Sequence, residues 1–316
     1  MYDANNGDVV LLSPDGTFQT VLATRGRGPS DVGSLTAMIA LGRDSLFFQD
    51  FLNTRFSLFA GDSLADTKPI LPQLGQAFIA GGLDANGHVL MSSGSYRRGF
   101  PEEWLPGYMV RFDPDAGVMD TVATYDWVPF VPPDHLPRNP FGFFGIVLVA
   151  GGEFLYGRTD TPQLTWRRTD GSVRQIVRWD PEPVHPTEEH WELFANDLAA
   201  TAHEYNPQAQ TDSARAALVE SMLRRYELDP GQPLPLFDIP IADDGGRVWL
   251  VEYSVPYQLT RAAPSYVVLS PDGEWLGRLT VPDGLRVLDV SGGRVLGVEM
   301  GEMDVETVVV YELVER

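Results

Sequence analysis

The side chains best equipped for chemistry are few and scattered. Five histidines occur, His88, His135, His185, His190 and His203, and the densest stretch is His185-Pro186-Thr187-Glu188-Glu189-His190. Two imidazoles and two carboxylates this close have the composition of a metal cluster, because neutral histidine and ionised glutamate both ligate zinc. The spacing argues against it. His185 precedes a proline, which disfavours helical geometry there, and His190 falls just inside a helix start. Adjacent Glu188 and Glu189 point about 100° apart on a helix, so they share no face. Carboxylates in a first helical turn complement the positive end of the helix dipole, and that accounts for both.

Oxygen-rich turns are the other metal candidates. Asp243-Asp244, Asp84 with Asn86, and Asp113 with Asp115 offer the hard oxygens that Ca²⁺ prefers. Each falls on a turn signal, where Asp and Asn serve backbone geometry, and none has EF-hand spacing. No cofactor is expected, Ca²⁺ being the one ion left open. A Gly-x-Ser-x-Gly elbow, a phosphate loop and a dinucleotide fingerprint are all missing from the sequence. Zero cysteines remove disulfides, thiolate metal sites, iron–sulfur clusters and a Cys nucleophile together. A Ser-His-Asp set needs no proximity in sequence, and no spacing points to one.

Recognition chemistry is better represented. Tyr96, Arg97, Arg98, Phe100 and Trp104 share one proline-stiffened stretch, Trp127 and Phe130 a second, and Phe141, Phe143 and Phe144 a third. Aromatics and arginines are enriched at protein interfaces, and proline limits the entropy lost on docking. The competing expectation is that these rings fill gaps between elements. Arg97-Arg98 on so acidic a chain suits a carboxylate-rich partner.

The elements that must position these residues follow from composition and turn spacing. The chain has 316 residues and a formal charge of −21, from 23 Lys and Arg against 44 Asp and Glu. That charge repels phosphate backbones and anionic headgroups, so neither nucleic acid nor a membrane surface is an expected partner. No apolar run approaches the roughly 18–20 residues of a membrane span, and the opening Met1-Tyr2-Asp3-Ala4-Asn5-Asn6 lacks signal-peptide features. A hydrophobic content of 43% excludes wholesale disorder.

Two interleaved series of turns punctuate the chain. One runs through Asp15-Gly16, Gly61-Asp62, Asp115-Ala116-Gly117, Asp170-Gly171 and Asp272-Gly273. The other runs through Gly42-Arg43-Asp44, Asn86-Gly87, Gly151-Gly152, Gly245-Gly246 and Gly292-Gly293. Such pairs suit hairpins that need φ > 0. Short runs rich in Val, Leu, Phe and Tyr flank them, which predicts strands. Each series repeats about every 45–55 residues, with longer gaps mid-chain, so one period holds four strands. That is the pattern of a propeller blade.

Further motifs carry a resemblance. Ser13-Pro14-Asp15-Gly16 recurs as Ser270-Pro271-Asp272-Gly273, and Arg25-Gly26-Arg27-Gly28-Pro29 follows the first hairpin. Asp50-Phe51-Leu52-Asn53-Thr54-Arg55-Phe56, Gly246-Arg247-Val248-Trp249 and Tyr311-Glu312-Leu313 complete the set. With these the chain resembles the NHL-like six-bladed β-propellers of bacteria, in which a D-x-x-N-x-R turn joins the second and third strands and G-x-G-P crosses between blades. The resemblance implies an all-β six-bladed propeller and an extracytoplasmic, periplasmic location. Propeller hydrolases place Glu, Asn and Asp around an axial metal. Asp50, Asn53 and Glu252 are the residues to test, although the repeat already gives Asp50 and Asn53 a structural role. The strand count reaches about 21, short of six full blades. This predicts an incomplete first blade with N-terminal strands missing, five-bladed closure being the other solution.

One region is helical. Trp191, Phe194, Leu198, Ala202 and Tyr205 form a stripe over Thr187 to Tyr205, which Pro207 ends. Ala214, Leu218, Met222 and Tyr226 form another over Ser213 to Glu227, with Thr211 or Asp212 as N-cap. The domain reading is therefore a single propeller over residues 1–316 with a helical insertion at 186–230, between the third and fourth full blades. Its stripes are expected to pack on the propeller face. The functional reading is a non-catalytic protein-binding or scaffold propeller, a subunit or accessory factor of a larger assembly, a membrane-associated one being among the options. Trp191 and Phe194 join the loop aromatics as partner-binding candidates. The alternatives are a metal-dependent hydrolase or lactonase at the central channel, and a small-molecule or carbohydrate sensor.

Overall fold

Glycine corners followed by short branched and aromatic runs fold as hairpins, and hairpins in series make small sheets. The structure, a computed structural model, describes residues 1–3, 6–13, 16–41, 44–70, 78–94, 104–129, 138–205, 211–255, 265–300 and 306–314. The first sheet holds β1 (Tyr2–Asp3), β2 (Asp8–Leu12) and β3 (Phe18–Ala23) in chain order. The second holds β4 (Leu35–Ala40), β5 (Ser45–Asp50), β6 (Arg55–Ala60) and β7 (Ser63–Pro69). The third holds β8 (Ile79–Leu83), β9 (Val89–Gly94), β10 (Trp104–Asp113) and β11 (Val118–Pro129). The fourth holds β12 (Gly145–Ala150), β13 (Glu153–Arg158), β14 (Gln163–Arg167) and β15 (Val173–Arg178). Helices α1 (Glu188–Tyr205) and α2 (Asp212–Leu223) follow. The fifth sheet holds β16 (Ile241–Ala242), β17 (Val248–Val251), β18 (Ser265–Leu269) and β19 (Trp275–Thr280). The sixth holds β20 (Leu285–Ser291), β21 (Arg294–Met300) and β22 (Glu306–Glu312).

Leading strands β4, β8, β12, β16 and β20 lie against one another in turn, as strands about an axis must. Between consecutive sheets sits an apolar layer fed by both. Phe48 and Phe59 meet Val9 and Leu22; Phe47 and Phe56 meet Phe78, Val89 and Phe112; Leu90 and Met109 meet Phe154. Leu155 and Trp166 meet Val248 and Leu250, and Trp249 and Tyr266 meet Leu285 and Val295. The fold is a six-bladed β-propeller. Six separate sheets rule out the five-bladed solution, and the first and last sheets have three strands each among the described residues. The strand total among the described residues is 22, one above the sequence count, because Tyr2 and Asp3 pair with Val9 and Asp8.

Repeated corners use repeated hydrogen bonds. The Ser13 and Ser270 carbonyls accept from the N–H of Gly16 and Gly273, each at 2.8 Å. The carboxylate of Asp84 accepts from the His88 N–H at 3.0 Å, as that of Asp243 does from Arg247 at 2.8 Å. Because each four-stranded blade is an antiparallel meander, its two hairpins of this kind fall on one end of the propeller. Third-to-second-strand turns and blade crossings fall on the other.

The D-x-x-N-x-R turn lies on that other end and ties down a crossing. Fully buried Asp50 accepts from the N–H of Gly33 at 2.9 Å and of Ser34 at 3.0 Å. Asn53 donates to the Gly26 carbonyl at 3.0 Å, and Arg55 donates to the carbonyls of Gly28 and Asp31. Asp50 and Asn53 thus hold the chain between the first two blades.

Helix α1 begins where its stripe predicts. Helix α2 stops at Leu223, four residues before the expected Glu227. Tertiary pairing takes over there: the Arg138 N–H donates to the Arg225 carbonyl at 2.8 Å, and Glu227 donates back to Arg138 at 2.9 Å. Thr211 is the N-cap, its hydroxyl accepting from the Ala214 N–H at 3.2 Å.

Candidate functional site

The histidine-rich stretch builds a helix start. Both the N–H and the hydroxyl of Thr187 lie 3.0 Å from His190 Nδ1, a capping arrangement with imidazole in place of the usual glutamate. His185 Nδ1 sits 3.2 Å from the Pro230 carbonyl. Glu188 and Glu189 occupy the first turn. Among the described residues, no three His, Asp or Glu side chains come together so that they could hold an ion.

The oxygen-rich turns are equally occupied. One Asp84 oxygen accepts from the N–H of Asn86 at 2.8 Å, and the other lies 2.9 Å from His88 Nδ1. Burial pushes the Asp84 carboxyl up, but these bonds outweigh it and hold it below the usual carboxylate range. Asp243 Oδ2 accepts from Arg247 Nε at 2.6 Å and from the Trp249 indole at 3.2 Å. Asp113 Oδ1 accepts from the N–H of Asp115 and of Ala116, each at 2.9 Å. Asp244 accepts from the Gly292 N–H at 2.9 Å and the Ser291 hydroxyl at 3.0 Å, joining the fifth blade to the sixth. Glu252 pairs with Arg278 at 2.5 Å, on a different blade from Asp50 and Asn53.

Of the aromatic candidates, Tyr96, Arg97, Arg98, Phe100 and Phe130 lie outside the described residues. Trp104 carries the Arg158 guanidinium over its ring at 4.1 Å, and Arg158 pairs with Asp126 at 2.9 Å and Asp160 at 2.5 Å. Trp127 covers Gly94, where a Cβ would collide with the indole. Beside them the tilted rings of Tyr125 and Tyr156 meet at 5.6 Å, and burial pushes both phenols up to about 12. Phe144 packs on the layer between blades four and five. Phe143 is half-buried beside Arg138 and Asn139.

Buried Phe141 meets Phe194 edge-on at 6.1 Å, and Phe194 meets Trp191 at 5.8 Å and Tyr226 at 5.2 Å. This cluster docks α1 on the segment before β12, so the first stripe packs on the propeller's own chain. Helix α2 buries no residue completely.

What α1 roofs is a cleft of about 950 Å³ between blades four and five, which no sequence pattern singled out. Its walls come from Trp179 beyond β15 and from Leu250, Val267 and Leu269 of β17 and β18. Phe237 meets Trp179 at 6.0 Å with the rings tilted, and Leu193 of α1 lines the roof. Toward the tight-turn end a latch closes it: Arg174 donates to the Pro271 carbonyl at 2.9 Å and Gln175 to that of Asp272. Along the hollow stand Trp275, 68% exposed, at its tight-turn end, and Val184, 57% exposed, and Leu193, 38% exposed, at its α1 end. Large apolar side chains gathered in water around a hollow mark a binding surface.

Comparison with known proteins adds the fold alone. No family model matches the chain, and no curated protein matches its sequence. Among solved structures it is similar to a member of the duf4221 family from Bacteroides vulgatus ATCC 8482. That match has 8% identity and a TM-score of 0.55, over 97% of this chain and 86% of the other. It is also similar to a Bacteroides fragilis NCTC 9343 protein provisionally named as exported, at 10% identity and a TM-score of 0.49, over 95% and 75% of the two chains. Virginiamycin B lyase from Staphylococcus aureus matches at 10% identity and a TM-score of 0.39, over 92% and 84%. No helix among the described residues is long and apolar enough to cross a membrane.

Proposed function

We propose that this protein is a non-catalytic, NHL-like binding propeller that holds a protein partner on the face bearing its long connections and helical insertion. The observation that carries the reading is the apolar cleft under α1, with Trp275, Leu193 and Val184 left exposed along it. The clamp made by Asp50, Asn53 and Arg55 supports the NHL-like part, since it gives the D-x-x-N-x-R turn a physical task. Membership of a larger extracytoplasmic assembly belongs to the same proposal and rests on the resemblance to exported propellers. The test is affinity capture from the native source with the wild-type chain and with Trp275→Ala, followed by mass spectrometry and fractionation. A partner retained by the wild type and lost by the variant is the expected result. Recovery of no partner, or equal recovery by both, overturns the reading.

A further inference from the structure

We infer that the cleft between blades four and five is a groove for a cationic amphipathic segment, with apolar anchors inside and Lys or Arg residues at the mouth. This rests on the binding-module reading and adds the chemistry of the partner. The interior selects apolar anchors: Trp179 and Phe237 back the hollow, Leu193 hangs over it, and Trp275 stands at its edge with most of its indole in water. Aromatic walls with a half-open mouth take the apolar face of a helix or the alternate side chains of a strand.

Charge at the mouth selects the flanks. Glu182 and Glu189 line it as exposed carboxylates with no ion pair among the described residues, and Glu188 and Glu192 extend the acidic edge along α1. Arg278 pairs with Glu252 at 2.5 Å, whereas Arg178 donates to the neutral Gln163 amide oxygen at 2.8 Å and keeps its charge. The balance there is still negative, with Glu182, Glu188, Glu189 and Glu192 against Arg178, on a chain of formal charge −21. An acidic segment would meet repulsion, while a basic one gains a steered approach and neutralises Glu182 and Glu189.

The test uses the full chain and three synthetic peptides in calorimetric titrations at two salt concentrations. One peptide has leucines on a single helical face with lysines elsewhere, the second has the same leucines with glutamates, and the third is the lysine peptide with its leucines scrambled. The lysine peptide is expected to bind, at least tenfold more weakly at high salt, with the other two at least tenfold weaker than it. Trp275→Ala with Leu193→Ala should weaken it at least tenfold, and Glu182→Gln with Glu189→Gln about three- to tenfold at low salt only. Equal binding of the glutamate or scrambled peptide, or indifference to the cleft substitutions, overturns the proposal. So does concentration-dependent dimerisation abolished by Trp275→Ala, which would make the occupant a second copy. If no peptide binds while native-source capture still depends on Trp275, the cationic chemistry fails and the binding-module reading stands. If capture is also indifferent to Trp275, both fail.

Discussion

On one face of the propeller no strand connection exceeds five residues. On the other, the chain between β3 and β4 takes residues 24–34, and that between β15 and β16 takes residues 179–240. Most corners of the short face are self-contained. The carboxylates of Asp84, Asp113 and Asp243 and the carbonyls of Ser13 and Ser270 accept from backbone groups within four residues, while Asp244 reaches Ser291 and Gly292 of the next blade. The long face is held by contacts between distant segments: Asp50 on Gly33, Phe194 on Phe141, Arg138 on Arg225. Local turns leave little free to specialise. Segments anchored at a few points can build a cleft.

The largest effect should come from the long face. Asp50→Ala removes a fully buried carboxylate and leaves three N–H groups and the Arg55 guanidinium without it, 3.8 Å away in the native protein. The expected loss is about 3–5 kcal/mol by urea unfolding. A loss below about 1 kcal/mol would make the crossings as self-sufficient as the turns. Phe194→Ala should come next, at about 2–3 kcal/mol. Hydrogen exchange should quicken across residues 188–200 while the tight-turn hairpins keep their protection. Exchange rising equally on both faces would break the division.

On the short face the cost is one of backbone geometry. Gly246 has φ +75°, and an added Cβ would lie 3.4 Å from the Gly151 Cα of the preceding blade. Gly246→Ala should cost about 1–2 kcal/mol, with the cleft unaffected in peptide binding.

Two carboxylates, one on each face, should titrate with opposite sign. Hydrogen bonds from Gly292 and Ser291 hold the Asp244 carboxyl below its ordinary value. Its contribution is present above the unfolded pKa of about 4 and is lost as pH falls through the lowered value. Burial raises Asp238, at the long-face end of the inner strand of blade five, so the native state holds a proton there that the unfolded chain releases. Stability then falls as pH rises from about 4 through the raised value. Asp244→Asn should flatten the acid limb of a Tm-against-pH profile, and Asp238→Asn should raise Tm at pH 7. The same sign for both variants would remove this distinction. The smallest change is expected for Trp275→Ala, within about 0.5 kcal/mol, because 68% of the residue is exposed. A larger loss would make the indole part of the fold rather than of the cleft.

The short face was legible because its cause is local. Ser270-Pro271-Asp272-Gly273 sets its own corner, and Asp84 and Asp243 accept from backbone groups two to four residues on. Period and strand type then gave the propeller. The site was not legible in the same way. Trp104, Trp127, Phe141 and Phe194 stood out by composition, yet in the folded chain they meet Arg158, Gly94 and one another. Trp275 looked like one more strand residue after a turn, and Trp179 like the end of another.

Glycine positions, turn carboxylates and alternating apolar runs by themselves determined the repeated sheets and the capped helices, since each acts within a few residues of its own backbone. Tertiary structure alone decided which aromatics are covered and which face a hollow. That depends on where blade four meets blade five and on where Phe194 seats α1, and both contacts join residues far apart in the chain.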